Sequence, residues 1–495
     1  MSKNSKWRNL QHFFDIKIVF VFRRYFQKLF LYMKRKLHLT VMKRLLLVVA
    51  MVYLSMHAFN LFHGDIRSTV LQKDKINVTS NQSASEKNKR EILSAFTVLT
   101  HMRPNFTISL DPVNKWIKTK TSQCNGNFVG YNNLFAHLKH VQINPHLSVG
   151  RKGGESIEKV IGQPEKSEYM TLKKGYFEMR CHDHGLLYHF KARDHLKLWL
   201  SAVKTTNSDH QSMSVNHNFT IAVTRYEYVN LYHTMTDWYN AFLMLVVFRK
   251  SPDTSSVLLI DSHPAGDLDG VWNTLFGHVT RAGHLTGTIA YDDLIWGITG
   301  YNSPINQHSL PHVPYLEEFR EFFLTRFNVL EKRKLNCENL SILFIWRKDY
   351  VSHPRNPGGK IKRKIRNEME LQRAVQQTFP SHSVKGLQID QLPMKEQLDL
   401  IVNTDILIGM HGAGLSFTLL LPKHASLIEL FPRYQSTKNN HFQAMAKWRS
   451  LHYLRWQNRD HQNEFPDYYT YVPIDVVVDR VNQTVNQMCE RWMRS

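Results

Sequence analysis

An open, doubly wound α/β sheet is the fold that the second half of this sequence predicts. Two observations carry that expectation. Apolar runs short enough for buried strands alternate with helix-length amphipathic stretches between residues 340 and 454. Within that alternation, Ile406 to Ile408 runs directly into Gly409, His411, Gly412, Ala413 and Gly414. An apolar strand feeding a glycine-rich turn and a helix start is a phosphate-binding arrangement, because free N–H groups and the positive helix end face the anion.

The elements follow in order. Leu340 to Trp346 reads as a strand, Arg366 to Phe379 as a helix and Lys395 to Val402 as another. Ile406 to Met410 is the next strand, and a helix is expected from about Gly412 through Leu415–Leu421, stopping at Pro422. Ser426 to Phe431 is a strand, His441 to Trp448 a helix and Leu451 to Leu454 a final strand. Ligands of such sheets sit beyond the carboxyl ends of strands. Arg347, His411 and Glu429 all fall near such ends. Basic side chains suit phosphate there, and a carboxylate suits ribose hydroxyls.

The first half carries a second cluster, Arg225 to Asn240, entered by a strand over Thr220 to Val223 and continued by a helix from His233 to Phe248. His233 and Asp237 stand at i and i+4 and so share a helical face. That spacing suggests a carboxylate orienting an imidazole, with Glu227 in the preceding turn as a second proton acceptor. Tyr226, Tyr228, Tyr232, Trp238 and Tyr239 offer flat apolar faces with polar edges, suited to sugar rings. Two metal-like patterns are weaker. Asp267-Leu268-Asp269 matches a D-x-D triplet but sits among turn residues. Cys181-His182-Asp183-His184 lacks further ligands at zinc spacing.

The net charge of +23 is uneven, since residues 1–44 hold twelve lysines and arginines against Asp15 alone. The uncharged apolar segment 45–62 follows, about long enough to cross a thin bilayer. A basic flank before such a segment predicts a cytoplasmic N-terminus, a signal-anchor and a lumenal bulk. In that setting the basic tail needs no nucleic-acid partner. Residues 63–100 are polar and aperiodic, as in a stem. Domains are expected over 101–330 and 331–470, with a C-terminal helix over 471–495. Sequons at Asn77, Asn81, Asn105, Asn218 and Asn339 fit a secretory lumen, whereas the one at Asn482 falls in an expected helix. Cys124, Cys181, Cys337 and Cys489 allow up to two bridges, with three pairings open.

As a set, Trp346-Arg347, the Arg363–Leu371 run, Met410–Leu415, Leu421-Pro422, Ile428–Pro432 and the spaced Asn230, His233 and Asp237 resemble glycosyltransferase family 61. The likeness spans roughly residues 120–460. It is strongest, through Arg225–Tyr239, Asp261–Gly266, Trp272 and Leu275-Phe276, to the branch that adds β-1,2-xylose to the N-glycan core. The resemblance implies a GT-B fold of two facing Rossmann-like domains in a single-pass type II Golgi membrane protein. It implies inverting transfer of xylose from UDP-xylose to the 2-hydroxyl of the core β-mannose, without a metal. Carried onto this chain, Arg347, Arg363, His411, Gly412, Ala413 and Gly414 would hold the diphosphate and Glu429 the ribose. Glu227, His233 and Asp237 would be catalytic, with Glu227 the preferred base, and Asn230, Tyr232 and Trp238 would meet the acceptor. Transfer of N-acetylglucosamine by the same fold and non-catalytic glycan binding are the alternatives.

Overall fold

The computed structural model describes residues 112–493, apart from 182–193, 208–213 and 332. The basic tail, the apolar segment 45–62, the stem, His182 to His184 and the sequons at Asn77, Asn81 and Asn105 lie outside the described residues. Among the described residues no helix is long and apolar enough to cross a membrane. The described residues build a mixed α/β protein around two main sheets.

The strands of the first sheet include β1 (Lys120–Gln123), β2 (Phe128–Tyr131), β3 (Phe135–Ile143), β4 (Phe177–Arg180), β5 (Val203–Thr206), β6 (Phe219–Val223), β7 (Ser255–Leu259), β8 (His278–Arg281) and β9 (Ile289–Trp296). The main order is β1-β2-β3-β9-β6-β7-β8, with β4 on β3 and β5 on β4. Strands β9, β6, β7 and β8 run parallel, but β1, β2 and β3 are antiparallel to their neighbours. This half is therefore less uniformly Rossmann-like than expected. The cause is connection length. Asn132 and Asn133, both at positive φ, close a tight hairpin between β2 and β3, and a turn that short can join only antiparallel strands.

Helix α1 (Leu231–Phe248) follows β6 and begins at Asn230, whose side chain accepts from Tyr232 N. It is buried on nearly every face, as befits a core helix rather than a surface one. One side faces the first sheet. Another packs on the Ala413–Leu419 turn of the second half, so one apolar cluster runs through both halves. Polar ties reinforce the seam: Arg320 Nε donates to Leu420 O at 3.0 Å and Trp448 Nε1 to Leu310 O at 2.8 Å.

The second sheet is wholly parallel. It comprises β10 (Ser341–Ile345), β11 (Ser383–Leu387), β12 (Ile406–Met410), β13 (Ser426–Phe431) and β14 (His452–Gln457), in the order β11-β10-β12-β13-β14. Every residue of β12 and β13 is buried, the mark of strands covered on both faces. Helices α2 (Glu368–Thr378), α3 (Met394–Ile401), α4 (His441–Trp448) and α5 (Ile474–Met493) accompany it. Strand β11 has no apolar run to betray it. Its Gly386 instead leaves room for the Trp346 indole, which a Cβ there would meet at 2.4 Å.

The cysteines pair as Cys124–Cys181 and Cys337–Cys489. The first closes the corner after β1 onto the end of β4. The second ties the connector before β10 to α5.

Candidate functional site

Strand order fixes where a ligand can sit. Between β10 and β12 the chain winds away in opposite directions, and the carboxyl ends of these strands form the switch point at which open α/β sheets bind ligands. Arg347 follows β10, and His411 to Gly414 follow β12. The Arg347 side chain lies directly across Gly412, where a Cβ would come within 2.2 Å of Nη1. Gly412 itself is extended, with φ 177°, so glycine is required here for close approach rather than for a left-handed backbone.

Arg347 Nε donates to Lys362 O at 3.0 Å. Arg363 stands nearby with φ 65°, its Nη1 donating to Gln435 Oε1 at 3.3 Å and its backbone N–H to the Tyr434 hydroxyl at 3.0 Å. Neither guanidinium forms a salt bridge among the described residues. Burial and the Arg363 charge together press the Arg347 guanidinium down to about 10. Two cations held close with no salt-bridge partner are stabilised by an arriving anion.

The expected helix after Gly412 is a 3₁₀ stretch, Ala413–Leu419. Thr418 Oγ1 donates back to Leu415 O at 2.6 Å, and such hydroxyl bonds compete with α-helical ones. Its dipole is correspondingly small. The N–H groups of Ala413 and Gly414 still open the stretch without intrahelical partners.

His411 and Glu429 sit beneath this turn. His411 Nδ1 is 2.5 Å from Glu429 Oε1, and the Tyr453 hydroxyl donates to Glu429 Oε2 at 2.7 Å. Glu429 is fully buried with both oxygens engaged, so the expectation that it contacts ribose is corrected: it orients the imidazole. His411, stacked on Phe431 at 4.9 Å and buried, supports the turn from below and does not line the cleft.

Across from the turn lies Glu227. A cleft of about 690 Å³ is lined on one side by Glu227, Asn230 and Asp267 and on the other by Arg347, Ala413 and Gly414. Arg355 Nη2 donates to Glu227 Oε1 at 2.6 Å, while His353 Nε2 is 3.6 Å from Oε2. Both partners belong to the loop after β10. That loop also reaches Glu168, with Arg355 Nε at 3.3 Å and His353 Nε2 at 3.4 Å. Glu168 is fully buried, and despite that burial its contacts with His263 and His353 hold its carboxyl down at about 2.

The remaining first-half candidates part company. Asp237 is 2% exposed and does not pair with His233. It takes a hydrogen bond from the Tyr226 backbone, and burial pushes its carboxyl well above the ordinary range. The shared helical face exists, but α1 is so deeply packed that Asp237 is sealed in while His233 stays at the edge, against Tyr226 at 5.2 Å. Asp237 is thus corrected from catalytic group to an acid sealed in the core. Trp238 is 0% exposed, against Trp272 and Phe323, and Tyr232 is buried with its hydroxyl donating to Asn306. Neither can meet an acceptor. Asn230 lines the cleft and also caps α1.

In the Asp-x-Asp triplet, Asp269 is engaged by Arg225 at 2.6 Å and Arg281 at 2.7 Å. Cys181 is in a disulfide. Sequence reading missed Glu168, His353 and Arg355. The one usable signal was a His-Pro-Arg triplet in the loop that leaves a strand's carboxyl end, where functional side chains collect.

Paired arginines over a glycine turn at the switch point of a parallel sheet define an α/β fold with a basic cleft where such sheets bind ligands. Comparison with known proteins gives the particular likeness: residues 231–428 match the Glycosyltransferase 61 family. It is similar to a β-1,2-xylosyltransferase of Oryza sativa subsp. japonica, 27% identical over 355 residues covering 63% of this chain and 66% of the relative. A β-1,2-xylosyltransferase of Arabidopsis thaliana is 24% identical over 388 residues, covering 64% and 72%. An EGF domain-specific O-linked N-acetylglucosamine transferase of Drosophila melanogaster is 28% identical over 246 residues, covering 47% of this chain and 44% of that protein.

Proposed function

We propose that this chain is an inverting glycosyltransferase of GT-B architecture that moves xylose from UDP-xylose to the 2-hydroxyl of the core β-mannose of N-glycans. The observation that carries transfer from a nucleotide sugar is the facing of Arg347, Ala413 and Gly414 on one side of the cleft by Glu227 on the other. The family likeness, in particular to the two plant enzymes, supplies the choice of sugar.

In this reading the diphosphate lies on Arg347, Arg363 and the N–H groups of Ala413 and Gly414. Arg355 fixes one oxygen of Glu227, and the other takes the proton of the acceptor hydroxyl. The hydroxyl oxygen then attacks the anomeric carbon from the face opposite the diphosphate, the carbon–phosphate-oxygen bond breaks, and UDP leaves with the electron pair. Charge on the leaving group is spread over the two guanidiniums, so no metal is called for. The two disulfides and the exposed sequon residues Asn218 and Asn339 suit an oxidising lumen. With the apolar segment 45–62 they support a type II protein of the Golgi.

The test is incubation of detergent-solubilised full-length chain with an N-glycan acceptor and either UDP-xylose or UDP-N-acetylglucosamine, with and without chelator, read by mass. A pentose gain that survives chelator supports the proposal. An N-acetylhexosamine gain supports the second reading, which the likeness to the fly transferase favours. Glycan binding without either gain would make the chain a non-catalytic binder.

A further inference from the structure

Of the aromatic side chains in the Tyr226–Tyr239 run, Tyr228, Tyr232, Trp238 and Tyr239 are all spent in the core. Tyr226 is the exception. It is half-buried, its neighbour Glu227 lines the cleft, and its ring meets that of Tyr301 at 4.7 Å in an edge-to-face arrangement. Tyr301 sits on the short turn Gly300–Asn302 and is 53% exposed. The turn lies over α1, where a Cβ on Gly300 would come to 3.4 Å from Asp237 Oδ1. His233 lies against both rings, at 5.2 Å and 6.3 Å. Tyr169, from a third segment, donates its hydroxyl to Tyr226 O at 3.5 Å.

Three separate stretches of chain thus place aromatic rings beside the carboxylate. A large ring left half in water, on a turn packed over α1, offers one open face. Its polar rim consists of phenol hydroxyls, an imidazole and Glu227. A pyranose has the complementary form, with a C–H face for the ring and hydroxyls for the rim.

We propose that Tyr301, Tyr226 and His233 form a saccharide subsite that seats the acceptor, with a sugar ring stacked on Tyr301 and a hydroxyl delivered to Glu227. The subsite rests on the transfer reading above. It deepens that reading, because it names the side chains that would seat the acceptor glycan.

The experiment uses the full-length chain and its Tyr301→Ala, Tyr301→Phe and Tyr301→Trp variants. UDP titration reads the donor side. Transfer kinetics and direct titration with a free N-glycan oligosaccharide read the acceptor side. Tyr301 is exposed, so its variants keep the wild-type melting temperature. Tyr301→Ala is expected to raise acceptor KM and weaken oligosaccharide binding by about three- to tenfold, the scale of one aromatic contact. Phe and Trp restore both, and UDP affinity stays constant throughout. If Tyr301→Ala leaves KM and oligosaccharide binding within twofold of wild type, the subsite is overturned. It is overturned equally if the wild type binds no oligosaccharide but glycosylates a folded protein domain. A wild type that binds the oligosaccharide through Tyr301 but takes no UDP overturns the transfer reading and leaves the subsite standing.

Discussion

The Arg355 guanidinium donates to Glu227 Oε1 at 2.6 Å across the cleft, joining a loop of the second sheet to the turn before α1 in the first half. The same loop begins just after Arg347 and ends at Arg363, so the two arginines proposed to hold the diphosphate and the one that holds the carboxylate share a single strap. Removing Arg355 should therefore lower turnover without loosening the donor. Arg355→Met is expected to cut kcat about tenfold or more, on the scale of a misplaced general base, with UDP affinity kept and Arg355→Lys partly restoring the rate. Steady-state kinetics beside UDP titration decide it, and equal loss of rate and UDP affinity would assign Arg355 to the donor instead.

Arg347 and His411 should separate binding from support. Arg347→Ala is expected to weaken UDP by about 2 kcal/mol, roughly thirtyfold, the worth of a hydrogen bond to a charged group, with little change in melting temperature. His411→Ala should lower the melting temperature as well, because it leaves Glu429 buried with the Tyr453 hydroxyl as its remaining partner. Calorimetric titration and thermal melts on the same preparations test both. Unaltered UDP binding in Arg347→Ala would reduce the glycine turn to a structural feature.

Asp237 gives a pH signature. Burial pushes its carboxyl well above the ordinary 3.8, so the folded state keeps a proton that the unfolded chain releases. Its stabilising contribution is full below 3.8 and is lost as pH rises toward the raised value, by up to about 1.4 kcal/mol per pH unit. Asp237→Asn removes that term. Denaturant unfolding followed upward from about pH 4 should show stability declining less steeply in the variant than in the wild type. Parallel profiles would mean that the carboxyl is ionised in the fold.

The Cys337–Cys489 bridge closes a sequence separation of 152 residues. Replacing both cysteines with serine should cost about 2–5 kcal/mol, because the bridge restrains the unfolded chain over a long loop. A melting temperature indistinguishable from wild type would show that packing of α5 already holds those ends together.

The alternation of elements in the second half was legible because its strands are buried on both faces. Strands β12 and β13 have the bounds that the apolar pattern gives, as does helix α4. Strand β11 was not legible, since Ser383-Val-Lys-Gly-Leu387 carries no apolar run and owes its place to pairing with β10. The glycine turn announced close backbone approach, but not that the approaching group would be Arg347. In the first half, i and i+4 spacing correctly put His233 and Asp237 on one face of α1. Spacing says nothing about depth, and depth sealed off Asp237, Tyr232 and Trp238.

Local pattern by itself therefore determined most of the parallel sheet of the second half, the glycine turn, the positions of Arg347 and Glu227 at element ends and the family likeness. These follow from periodicity and backbone chemistry, which act over a few residues. Tertiary structure alone decided which polar groups reach the cleft, which cysteines pair, and that His353 and Arg355 of the second half meet both Glu168 and Glu227 of the first. Burial and charge pairing between residues distant along the chain depend on how the two sheets meet, and no short stretch of sequence encodes that meeting.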